Sequence, residues 1–129
     1  MDALASPLGR LRMIAQQLGL TDPQKAQIKS VIQSHRDEWK ALADRALTAR
    51  KSLNEAVSAE AIDENVIRQR SADVAAARAD IAVAHAHARA EILQVLTPEQ
   101  QAQVKSLQSK MESRFEERRQ RLQNRLEQE

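Results

Sequence analysis

At 129 residues the chain has the length of one small domain, and its 42% hydrophobic fraction rests on Ala, with one Trp, one Phe and no Tyr, which excludes a thick aromatic core. A net charge of +2 is too small for a nucleic-acid platform, no aromatic ladder for bases is present, and zero Cys excludes disulfides, thiol catalysis and Cys-based zinc sites. Two Gly, three Pro and 29% charged residues suit long helices, and no run shows strand alternation, so the chain reads as all-α in a single domain over 1–129. No apolar run approaches the roughly 20 residues of a membrane span, so no membrane insertion is expected.

The first helix is predicted over about Pro7 to Leu18, with Ser6 as N-cap and Pro7 at its first position. Leu4, Leu8, Leu11, Ile14 and Leu18 form its apolar stripe, and Gly19 is placed to end it. Leu20-Thr-Asp-Pro-Gln24 then starts a second helix reaching about Val57, in which Thr21 is the N-cap and Gln24 completes a capping box. Ile28, Ile32, His35, Trp39, Leu42, Ala46, Ala49, Leu53 and Ala56 follow spacings of four and three, the signature of a heptad seam. After a break at Ser58 to Ile62, with Asp63 as cap, a third helix repeats the alternation at Ile67, Ser71, Val74, Arg78, Ile81, His85, Ala88, Ile92 and Val95. A fold-back near residue 60 brings the two seams together as a long αα-hairpin, about 54 Å long at 1.5 Å per residue.

The fourth helix opens with a second copy of the corner, Leu96-Thr-Pro-Glu-Gln100, in which Thr97 caps, Pro98 takes the first position and Gln100 reaches back. Val104, Leu107, Met111, Phe115 and Leu122 mark its apolar side, and from Arg114 onward it is Arg/Glu-rich. By the fold-back arithmetic Leu20 and Leu96 share one end of the hairpin, so the two corners are neighbours. The third helix is rich in Ala beyond what one seam needs, which predicts a second helix packed on it, most economically in an antiparallel homodimer.

The doubled motif, Leu20-Thr-Asp-Pro-Gln-Lys-Ala-Gln-Ile28 together with Arg36-Asp37 and Ala84-His85 through Ile92 to Leu96-Thr-Pro-Glu-Gln-Gln101, resembles the LTxxQ-motif family of periplasmic proteins, the Spy/CpxP-like group, with heavy-metal sensors as distant relatives. The resemblance implies a cradle-like dimer of four-helix chains and a periplasmic location. It also implies ATP-independent chaperone (holdase) activity toward unfolded client proteins. The same resemblance equally fits an envelope-stress regulator or metal-responsive sensor that docks on a membrane partner. Met1 to Pro7 lacks the basic and apolar regions of a secretory signal, which alone implies the cytosol; the resemblance implies a signal removed ahead of Met1.

The residues offer no catalytic constellation. His occurs only at 35, 85 and 87, Gly only at 9 and 19, and carboxylate pairs such as Asp37-Glu38 are adjacent on exposed helix, so neither an enzyme nor a cofactor is expected. His35 and His85 fall level in the seam and are the weak candidates for a metal, with register-setting hydrogen bonds as the plainer role. The sensors' pattern, a His pair on the first helix with a His and a Met one turn apart on the third, is not met, since Arg89 follows His85, and no metal is expected. Lys29, Arg36, Lys40 and Arg50 lie beside the seam with Leu47, a basic and apolar stripe expected to hold clients.

Overall fold

The structure, a computed structural model, describes residues 13–128. They form helices joined by short turns and no strand. The described part of α1 is 13–17, followed by α2 over Asp22–Val57, α3 over Glu64–Val95 and α4 over Pro98–Glu127. The predicted start of α1 at Ser6 and Pro7, with Leu4, Leu8 and Leu11, lies outside the described residues. Two compact units result, one of residues up to Lys25 with Gln94 onward, the other Ala26–Leu93.

Each boundary has a local cause. Gly19 adopts φ of 62° at the end of α1, the left-handed region in which a side chain is strained; a Cβ there would meet nothing within 4 Å, so the requirement is one of backbone and not of space. Thr21, Asp63 and Thr97 each accept the first helical hydrogen bond of the next helix on their carbonyl, from Lys25, Ile67 and Gln101 at 3.0, 3.1 and 2.9 Å. The Asp63 carboxylate also accepts from the Val66 amide at 3.2 Å, the N-cap bond its position predicts.

In the Ala26–Leu93 unit, all nine predicted seam positions of α2 are half-buried, and none is fully buried. The α3 seam differs from expectation in part. Ser71 and Arg78 are exposed, and the buried positions are Ala77, Ala84, Ala88 and Ile92, at 1, 7, 0 and 8% exposure. Heptad counting had placed Arg78 and His85 inward; the closest approach of the helices instead falls one residue earlier, where Ala leaves room for a neighbouring helix and a long side chain does not. One residue is about 100° of helix, which turns Arg78 onto the flank. The helix ends agree with a fold-back near residue 60, while the cross-helix pairs His35–Glu91 and Arg45–Asp80 are offset from that level by about one turn, the reach of their long side chains.

Among the described residues of the other unit, Ile14, Leu18, Leu96 and Val104 are buried. Both units therefore rest on small apolar clusters, and no large side chain among the described residues falls below 2% exposure. Trp39, the largest side chain of the seam, stacks on His35 with ring centroids 5.7 Å apart, and its indole N–H is buried without a hydrogen-bond partner.

The buried alanines give a direct test. Ala88→Leu inserts three carbons where exposure is 0% and is expected to cost about 1–3 kcal/mol in chemical denaturation, whereas Ala102→Leu on the exposed side of α4 should change stability by less than about 0.5 kcal/mol.

Candidate functional site

The two motif copies meet. Gln24 and Gln100, 76 residues apart, face each other as a reciprocal amide pair: Gln24 Nε2 donates to Gln100 Oε1 at 2.7 Å, and Gln100 Nε2 donates to Gln24 Oε1 at 3.2 Å. Each Oε1 also accepts from the backbone of its own cap, from Thr21 N at 3.1 Å and from Thr97 N at 3.0 Å. The threonine hydroxyls complete both capping boxes, accepting from Gln24 N at 3.3 Å and Gln100 N at 3.2 Å.

The second hydrogen of each amide goes to the other half of the motif pair. Gln24 donates to the carbonyl of Val95, the last residue of α3, at 3.2 Å, and Gln100 donates to the carbonyl of Leu18, just past α1, at 3.3 Å. These are the carbonyls that a helix end leaves without an intrahelical partner. Each Gln thus closes the start of its own helix and the end of another, and all four amide hydrogens are used. Leu96, at 6% exposure, is the apolar anchor of the second copy, while Leu20 is half-buried. The sequence predicts both boxes and their proximity but not the joining of their glutamines; the signal was the choice of Gln in both copies where a capping box accepts Glu equally well.

Lys29, Arg36, Lys40, Leu47 and Arg50 are all exposed, Leu47 at 67%. Lys29, Arg36, Lys40, Leu47 and Lys51 succeed one another at spacings of seven and four, and therefore share a band of about 60° on α2. Lys51 extends the expected stripe by one charge. Arg78 joins it from α3: Arg45 pairs with Asp80 on one flank, and two residues further along each helix, about 200° of turn, Leu47 and Arg78 both fall on the other. Sequence reading missed Arg78 because the heptad count assigned it to the interior.

His35 is held by two carboxylates, with Nε2 at 2.9 Å from Glu91 Oε2 and Nδ1 at 3.6 Å from Glu38 Oε2. His85, half-buried on α3, has interactions of its own. Among the described residues no group of three His, Asp or Glu is placed to hold a metal ion. The hydrogen bond to Glu91 is the main cause that raises the His35 pKa above its usual 6.5; partial desolvation opposes it and Glu38 reinforces it.

With this geometry the comparison with known families is direct. The model of the LTXXQ motif family matches residues 8–108, and the chain belongs to that family. Neither a curated protein nor a solved structure matches it. Among the described residues no helix is long and apolar enough to cross a membrane.

The raised His35 pKa sets a pH dependence. A group whose folded pKa exceeds its unfolded value stabilises fully below the unfolded value and loses that contribution as pH rises through the folded one. The melting temperature should therefore fall as pH is raised from about 6 through the folded His35 pKa, and His35→Gln should flatten this part of the profile; an unchanged slope in the variant would assign the dependence to other groups.

Proposed function

We propose that this member of the LTXXQ motif family is an ATP-independent holdase of the periplasm that binds unfolded proteins and catalyses no reaction. The observation that carries the reading is the flank of α2 and α3 described above. Lys29, Arg36, Lys40, Arg50, Lys51 and Arg78 are exposed there, none makes an ion pair among the described residues, and Leu47 stands in their midst. Unpaired charge accelerates encounter with acidic unfolded segments over a Debye length, and an isolated apolar contact retains them weakly enough to release.

A homodimer is part of the same proposal. Ala77, Ala84 and Ala88 are consumed within the hairpin, but Ala72, Ala76, Ala79, Val83, Ala86 and Ala90 remain exposed at spacings of four and three. Read in reverse about residue 81 the set matches itself, as a two-fold antiparallel contact between copies requires.

The deciding experiment is suppression of aggregation of several chemically unfolded clients by up to equimolar chain, without nucleotide, with light scattering reporting mass alongside. Suppression by a species of twice 14.5 kDa, weakening as salt rises to about 0.5 M where the Debye length falls to about 4 Å, is the expected result. The Lys29→Glu, Arg36→Glu, Lys40→Glu triple variant should slow capture with little change in melting temperature. Failure with every client at physiological salt would replace this reading with that of a regulator docking on a membrane partner, and a monomer at tens of micromolar would remove the dimer.

A further inference from the structure

The Ala26–Leu93 unit contains ten Lys or Arg and ten Asp or Glu, yet the charges are not evenly spread. On one flank of the α2–α3 pair Glu91 and Glu38 pair with His35 and Asp80 with Arg45, while Asp73 stands exposed there without an ion pair among the described residues. On the other flank Lys29, Arg36, Lys40, Arg50, Lys51 and Arg78 are exposed and make no ion pair among the described residues. The α2 band from Arg50 to Lys51 spans about 100° and contains no acid within this unit. The cations of a neutral unit thus gather on one flank, with Asp37, Asp44 and Glu55 along its edge.

We infer that this flank is a docking surface for an anionic phospholipid leaflet, on which the unit lies flat with the Leu47 side chain entering the interface. Five of the six cations lie along α2, and Arg78 stands beside them on α3, so the charge is gathered on one exposed side of the pair. Two further features fit a leaflet. From Lys29 to Lys51 the row runs about 33 Å along continuous helix, a straight edge suited to a planar partner. Leu47, 67% exposed, projects beside Lys40, Arg50, Lys51 and Arg78, and an apolar residue within a basic surround is the pattern of shallow interfacial binding. Each cation near an anionic leaflet raises partition about fivefold, so this patch suffices for adsorption without any membrane-crossing segment. The inference does not rest on client binding.

The test is flotation of the full chain with vesicles of phosphatidylcholine alone and of phosphatidylcholine with about one-third phosphatidylglycerol, at about 0.1 M salt. The chain should float only with the anionic vesicles and be released at about 0.5 M salt. Lys40→Glu, Arg50→Glu, Lys51→Glu should lower partition at least about a hundredfold, with an unchanged melting curve, whereas Asp73→Lys on the other flank should not lower it. Leu47→Ser should weaken binding severalfold and leave its salt dependence intact. Equal flotation with both vesicle types, none with either, or a triple variant that floats like the parent chain would overturn the proposal. Aggregation suppression that persists without vesicle binding would overturn it while leaving the holdase reading in place.

Discussion

The interaction on which the rest depends is the amide pair of Gln24 and Gln100. Each side chain accepts from the amide of its own cap and donates to a carbonyl at the end of another helix, Val95 for Gln24 and Leu18 for Gln100. Four helix ends are thereby satisfied by two residues. Ile14, Leu18, Leu96 and Val104 are buried in the same unit among the described residues. Where little apolar area is available, unpaired polar groups at helix ends are a proportionately larger cost, about 1–3 kcal/mol each when buried. The doubled motif is thus a joint, and its two copies have meaning only together.

A similar economy governs the α2–α3 pair. Its seam uses Ala at the positions of closest approach, which allows two long helices to pack without a large core but leaves their flanks open to solvent. Those flanks are unequal. Arg45 and His35 hold Asp80 and Glu91 in cross-helix pairs on one side, and the cations of the other side make no ion pair among the described residues.

Much of this was legible in the sequence. The helix limits followed from Thr21, Gly19, Asp63 and Thr97, because caps and a left-handed glycine act over three or four residues and need no tertiary information. The α2 seam was also readable, since Ile, Leu and Trp mark an apolar face plainly. The α3 seam was legible only in part. With so many alanines several helical faces are equally apolar, and only the approach of α2 distinguishes Ala77 from Arg78. The Gln24–Gln100 pair and the carboxylates around His35 link residues far apart in the chain, and local spacing carries no record of which donor meets which acceptor.

The two glutamines act as one unit, and a double-mutant cycle measures their coupling. Gln24→Ala, Gln100→Ala and the double variant, compared by chemical denaturation, should show a coupling of about 1–2 kcal/mol across 76 residues of sequence, and Gln100→Glu, which keeps the capping acceptor but loses both donors, should cost more than the roughly 1 kcal/mol expected for Thr97→Ala. Additive single effects, within about 0.3–0.5 kcal/mol, together with a harmless Gln100→Glu, would reduce the motif to two independent helix caps and contradict the account.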